Sequence, residues 1–200
     1  MADKIDFYFD FSSPYGYLAS ERIEALAARH DLQIDWHAIL LGFIFPVTGQ
    51  KPLVDIPLIN SYSEHDMQRA AREHAIAFQW PGEFPVSSVA ACRAFYWLKS
   101  NQPGSLTGFI HAIYRAYFTE DKPITRPADV LAVAAEAGLP ADELTAAFDD
   151  PQIKAETRKA VEQAIEKGVF GSPFFIVDGE PFWGNDRLDQ LDRWLQKGGW

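Results

Sequence analysis

Ile5-Asp6-Phe7-Tyr8-Phe9-Asp10-Phe11-Ser12-Ser13-Pro14 is the stretch that decides the fold. Ile5, Phe7, Phe9 and Phe11 alternate with Asp6, Tyr8 and Asp10, the two-residue period of a strand. Ser12-Ser13-Pro14 follows at once, and proline is favoured at a first helical position because its missing N–H would have no intrahelical partner there. Ser13 therefore reads as the N-cap of a helix running to about His30, with Leu18, Ile23 and Leu26 inward. Leu32, Ile34, Trp36 and Ala38 then alternate as a second strand.

Strands return only at the far end. Phe174 to Val177 is a short apolar run, Asp178-Gly179 is a two-residue hairpin turn, and Pro181-Phe182-Trp183 begins the partner strand. Gly184-Asn185-Asp186 then caps a last helix, Arg187 to Leu195, buried through Leu188, Leu191 and Trp194 or Leu195. Between the two strand pairs, Gly42 to Ile59 carries Pro46, Gly49, Pro52 and Pro57 and reads as a loop or irregular crossover. Helices follow over Glu64 to His74, with Ser63 and Asp66 as a capping box, then over about Ser88 to Lys99, Leu106 to Phe118, Pro127 to Ala137 and a short piece after Pro140. A longer helix opens at Asp150-Pro151, turns Ile153, Val161 and Ile165 inward and stops at Gly168.

The order is β-α-β, helical block, helix, β-β-α, an α/β chain with a thioredoxin-like sheet interrupted by an inserted all-helical subdomain. Residues 1–45 and 165–200 form the thioredoxin-like unit and 46–164 the insertion. An insertion that leaves and re-enters the sheet near one edge makes a cleft between the units, and a cleft is where a ligand is sought first.

Two hundred residues with 48% hydrophobic and 23% charged side chains is a globular composition, long enough for a sizeable core. Lys plus Arg is 18 against 28 Asp plus Glu, a net charge of −10, which argues against nucleic acid or anionic membrane as partners. A small anion held by a local pocket of cations or N–H groups remains compatible with that charge. One cysteine, Cys92, excludes an intramolecular disulfide, a CxxC pair and a cysteine-rich zinc site. Met1-Ala2-Asp3-Lys4-Ile5-Asp6 lacks the basic and apolar regions of a signal peptide, and no apolar stretch approaches the roughly 18 residues needed to span a bilayer. A cytoplasmic location is expected.

Ser13 stands where a strand meets a helix N-terminus. Free N–H groups and the helix dipole favour an anion there by about 0.3 to 1 kcal/mol, and by about 2 kcal/mol when partly buried. That lowers a bound thiol's pKa by about one unit, from about 8.5 toward neutrality. Cys92 lies far along the chain, in a helical pattern that suits a small core residue, so a thiol at Ser13 has to arrive with a ligand. The plainer role of Ser13 is an N-cap alone. In Gly171-Ser172-Pro173-Phe174, proline stands directly before a buried strand, where it removes a ladder donor. A trans proline at the strand's first residue and a cis Ser172-Pro173 bond both accommodate this, and the cis form leaves the N–H and C=O of Ser172 free to pair with an extended peptide. His30, His37, His65, His74 and His111 show no metal-ligand spacing, and no metal is assigned. Phe95-Tyr96-Trp97 suits core or a subunit interface, and the acidic residues from Asp142 to Asp150 suit a solvated face.

Three motifs in this order, Phe7-Tyr8-Phe9-Asp10-Phe11 with Ser13-Pro14, Gly171 to Gly179, and Trp183-Gly184-Asn185-Asp186-Arg187, resemble the 2-hydroxychromene-2-carboxylate isomerases, relatives of the kappa-class glutathione transferases in the DsbA-like thioredoxin superfamily. The resemblance covers essentially the whole chain. It implies a glutathione-dependent isomerase with Ser13 at the glutathione sulfur, Ser172 and Pro173 pairing with the cysteine backbone, and Trp183, Gly184, Asn185 and Asp186 holding the γ-glutamyl end. A kappa-like transferase and a non-catalytic glutathione-binding module are the alternatives. Ser13 and Gly16 fill the two redox cysteine positions, which argues against a dithiol oxidoreductase. A homodimer is implied by the resemblance alone.

On the acceptor side the chain departs from that pattern. Phe45 and Ile59 stand near expected lysines, Gln50 and Ser87 where asparagine is usual, and Pro81-Gly82-Glu83-Phe84-Pro85 is family-like. Phe45, Gln50, Lys51 and Phe84 are the expected substrate-lining residues, and anchoring a carboxylate falls to Lys51, Arg69, Arg93 or a backbone site. An aromatic or unsaturated acceptor less anionic than the family's is expected.

Overall fold

The computed structural model describes residues 3–200; Met1 and Ala2, the start of the predicted first unit and of the stretch read for a signal peptide, lie outside the described residues. Strand β1 (Lys4–Phe9), helix α1 (Pro14–Arg29) and strand β2 (Gln33–Ala38) open the chain, and β3 (Phe174–Val177) and β4 (Glu180–Trp183) close the sheet in the order β2-β1-β3-β4. β1 runs parallel to β2, with Phe7 opposite Trp36, and antiparallel to β3, with Phe7 opposite Phe175. Asp178 and Gly179 turn the β3–β4 hairpin with φ of 49° and 85°, the pair of positive values a type I′ turn demands.

The helices are α2 (Leu41–Thr48), α3 (Ile59–Glu73), α4 (Val89–Asn101), α5 (Leu106–Glu120), α6 (Pro127–Glu136), α7 (Ala141–Leu144), α8 (Ala146–Asp149), α9 (Pro151–Glu166) and α10 (Leu188–Lys197). One aromatic core joins sheet and helices. Phe7 stacks on Phe175 at 4.9 Å, Phe9 meets Trp36 and Phe95 edge-on at 5.7 and 5.6 Å, and Phe11 meets Phe109 edge-on at 5.9 Å. Tyr114 of α5 touches Phe9, Phe11 and Tyr17, so the sheet, α1 and α5 share one packed centre. Each fully buried aromatic of this kind contributes on the order of 1.5 to 3 kcal/mol of hydrophobic stabilisation. Cys92 sits in the same core with its thiol toward the carbonyl of Ile39, buried on α4.

Several expectations change. Gly42 to Ile59 is largely structured: α2 spans Pro46, a 3-10 turn covers Leu53–Asp55, and α3 begins at Ile59. In a helix of eight residues, Pro46 removes few ladder bonds, so its penalty is small there. Ser63 is consequently a buried helical residue bonded to the carbonyl of Asn60 rather than an N-cap, and Asp66 is free of any capping box. The piece after Pro140 is two short helices. Asn185–Arg187 form a 3-10 turn before α10, and Asp186 caps nothing. The helical block leaves the sheet from edge strand β2 but re-enters at β3, an interior strand beside β1, rather than near the same edge.

Candidate active site

Ser13 caps α1 with extended backbone, and its Oγ accepts the Gly16 N–H at 3.0 Å. Its hydroxyl donates to the carbonyl of Ser172 at 3.1 Å, joining the helix N-terminus to the loop before β3. The Ser172-Pro173 peptide is cis. The Ser172 carbonyl is thus engaged by Ser13, where the sequence left it free. The Ser172 hydroxyl accepts the Asp10 N–H at 3.0 Å, and the Asp10 carbonyl accepts both the Ser13 N–H at 2.8 Å and the Tyr114 hydroxyl at 3.0 Å. Burial holds the Tyr114 phenol far above its ordinary range, so it acts as a neutral donor.

Gly16 faces this cluster. A Cβ there would lie 2.7 Å from the Tyr114 hydroxyl oxygen and 2.8 Å from the Ser172 Oγ. Gly171 likewise touches Trp183, whose indole nitrogen would stand 2.3 Å from an added Cβ. Trp183 is half exposed and meets Phe170 edge-on at 4.8 Å. The Gly184 N–H donates to the Pro173 carbonyl at 3.0 Å, and Gly184 adopts φ 115°, a conformation that favours glycine. Asn185 is buried and is gripped through its backbone and side-chain oxygens by Arg22 of α1, at 3.2 and 3.1 Å; Arg22 also pairs with Asp189 at 2.8 Å. Asp186 points its carboxylate to solvent beside Arg187.

The structure therefore gathers Ser13, Ser172, Pro173, Trp183, Gly184 and Asn185 around one end of the sheet, with Asp186 at the rim. Asp10, Tyr114 and Arg22 belong to the same arrangement, although strand and helix periodicity alone give them no role there.

On the other side of Ser13, Tyr15 donates to Asp66 of α3 at 2.8 Å, and Ser12 Oγ accepts the Val86 N–H at 3.2 Å. Asp66 and Val86 lie two residues from Glu64 and Phe84, which with Val54, Trp80, Pro81 and Gly82 line an open pocket of about 340 Å³. Phe84 lines this pocket and packs edge-on to Trp80 at 5.1 Å. Phe45, Gln50 and Lys51 run along and past α2, half-buried to exposed, and do not line that pocket. Arg69 is paired with Asp66, and Arg93 donates to the Phe148 carbonyl at 3.3 Å, so both cations are engaged elsewhere.

Asp6, Asp35 and His37 lie close enough to surround an ion, but Lys4 and Lys99 each reach Asp35 at 2.7 Å and already supply the positive charge. No helix among the described residues is long and apolar enough to cross a membrane.

A family model described as a DSBA-like thioredoxin domain matches residues 4–196. The 2-hydroxychromene-2-carboxylate isomerase of Sphingobium xenophagum is 32% identical over 198 residues, covering 98% of this chain and 99% of that protein. Glutathione S-transferase kappa 1 of Homo sapiens is 23% identical over 208 residues, covering 96% and 92%. Among solved structures, a 2-hydroxychromene-2-carboxylate isomerase superposes with a TM-score of 0.83 at 27% identity, covering 96% of this chain and 94% of that one. The cytosolic disulfide reductase DsbM of Pseudomonas aeruginosa, solved with GSH, shares the fold with a TM-score of 0.64 at 16% identity, covering 97% and 96%.

Proposed function

Because the chain belongs to the 2-hydroxychromene-2-carboxylate isomerase family of DSBA-like thioredoxin domains, we propose that it is a glutathione-dependent isomerase of an aromatic or unsaturated substrate. The observation that carries this reading is the 3.1 Å bond between the Ser13 hydroxyl and the Ser172 carbonyl, which puts a donor and a backbone acceptor side by side at a helix N-terminus. The residues present suit glutathione. Ser13 offers a hydroxyl to a sulfur, Ser172 a carbonyl to a peptide N–H, and Asp186 an exposed carboxylate to an ammonium.

When bound, glutathione would supply a thiolate that adds reversibly to an electrophilic carbon, freeing a double bond to rotate before elimination restores both. Ser13 would turn its hydroxyl hydrogen from the Ser172 carbonyl to the sulfur while its Oγ keeps the Gly16 N–H. The Ser172 carbonyl, once released, would hold the N–H of the glutathione cysteine. Serine acts as a hydrogen-bond donor here and not as a covalent nucleophile. Arg22 holds Asn185, and with it the turn that carries Asp186.

The acceptor lies in the pocket bounded by Val54, Trp80 and Phe84, where Glu64 is the only charged lining residue. A carboxylate there would face a like charge, which supports a less anionic acceptor than the family's name describes. A cytoplasmic location, and a homodimer on the family resemblance alone, complete the proposal.

Calorimetric titration with glutathione tests the reading: binding in the native protein, with turnover in Ser13→Ala reduced by on the order of 100-fold and affinity reduced less. No binding, or an alanine variant of equal activity, overturns it. The human kappa transferase, alike over 96% of this chain, supports a second reading in which the same site releases a conjugate; mass analysis of the product separates the two.

A further inference from the structure

Three helices begin around one buried carboxylate. Asp10 is only 4% exposed, and its Oδ1 accepts the Ser12 N–H at 2.9 Å and the Ser88 hydroxyl at 2.6 Å, while its Oδ2 accepts the Leu41 N–H at 2.8 Å. Ser12 precedes the cap of α1, Leu41 is the first residue of α2, and Ser88 immediately precedes α4. Among the described residues no lysine, arginine or histidine pairs with this carboxylate. Burial pushes its carboxyl up, against the three donors that favour its charged form. The titratable groups facing it are Cys92 from α4 and Tyr114 and Tyr117 from α5, all held neutral by burial. The Leu41 N–H that opens α2, with the Ser12 N–H and the Ser88 hydroxyl, stands in for the missing cation.

We propose that Asp10 is the positioning residue of the Ser13 site, whose negative charge opposes a second negative charge at the α1 N-terminus and so limits how far that helix end favours the thiolate of a thiol bound there. The identity of that thiol rests on the glutathione reading. The chemical reason does not: a thiol that must both attack and leave works best with a pKa near ambient pH, and a buried negative charge beside the helix N-terminus limits how far that end depresses it.

The test uses no glutathione, so its failure and the failure of the glutathione reading are distinguishable. Ser13→Cys places a thiol on the same helix end, and its ionisation is followed by ultraviolet thiolate absorbance and by alkylation rate against pH. Adding Asp10→Asn should lower the midpoint by about one unit, a tenfold change in the ionisation constant. Ser13→Cys with Ser88→Ala, which keeps the charge and removes one donor, should shift the midpoint much less. A loss of packing alone would not lower a thiol midpoint. Equal midpoints with and without Asp10→Asn, or a higher one with it, overturn the proposal. Should the Asp10 variant fail to fold, the Asp10 carboxyl carbon in Ser13→Cys, followed by NMR, should show a step at the thiol midpoint, and its absence overturns the proposal equally.

Discussion

Gly16 shows how tightly the site is built at the level of single atoms. The Tyr114 hydroxyl that would stand 2.7 Å from an added Cβ is the tip of a fully buried ring bonded to the Asp10 carbonyl, so it has nowhere to go. Gly16→Ala gains about 1 kcal/mol of helix propensity yet overpacks by about 1 to 3 kcal/mol, so a net loss of stability is expected in urea unfolding. A more stable alanine variant would contradict this geometry. The same crowding accounts for glycine at a position that, by resemblance, a redox relative fills with cysteine. Ser13, Ser172 and the Gly184 turn were legible because proline, serine and glycine carry local backbone rules. Asp10 and Arg22 were not: an aspartate in an alternating strand reads as outward-facing and an arginine in a helix as solvated, and only tertiary contacts reveal that Asp10 is buried and that Arg22 grips Asn185.

Helix α1 is fastened along its length as well as at its cap. Tyr15 bonds Asp66, Tyr17 donates to the Ala77 carbonyl at 2.7 Å, and His111 of α5 reaches Glu21 at 3.0 Å and Glu24 at 2.5 Å. Both ring nitrogens of His111 face carboxylates, so only the imidazolium satisfies both, and the bond to Glu21 raises its pKa above the usual 6.5. Glu21 is lowered by the same bond. The clasp is therefore fully present below about pH 6.5 on the histidine side and is lost as pH climbs through the higher folded value. It is lost on the acid side as pH falls through the lowered value of Glu21. His111→Ala should cost about 0.5 to 1 kcal/mol at pH 6 and progressively less at alkaline pH, measured by urea unfolding across that range. A pH-independent difference would assign the effect to packing. At this scale, the longer helices and β1 and β2 are readable from periodicity, and β3 and β4 from a short apolar run and the Asp178-Gly179 turn. The stretch from Leu41 to Thr48 was not, because the rule against proline inside helices is written for helices long enough to lose a ladder bond from their middle.

At the scale of the whole chain, the β-α-β and β-β-α halves close into one sheet around a common aromatic core, as their order implied. The division into residues 1–45 with 165–200 and 46–164 is retained as a proposal; its second boundary falls within the last turn of α9, so that helix would belong to the block it leaves. What order and spacing could not show is that the helical block sends Tyr114 and Ser88 back to the end of β1, where both bond Asp10. Net charge of −10 and a buried carboxylate beneath a proposed anion site are compatible for one physical reason: oriented N–H groups act locally, whereas net charge acts across the surface.

Cys92, shut into that shared core, turns the protein into its own clock. A thiol reagent reaches the sulfur only when the packing around α4 opens, so in excess reagent the labelling rate of the native chain reports how often the interior is exposed. Labelling should be slow in native buffer and accelerate with urea in step with loss of the fold; rapid single-site labelling without denaturant would mean that α4 breathes independently of the sheet. Any cysteine introduced at the surface can then carry a probe without a competing native thiol.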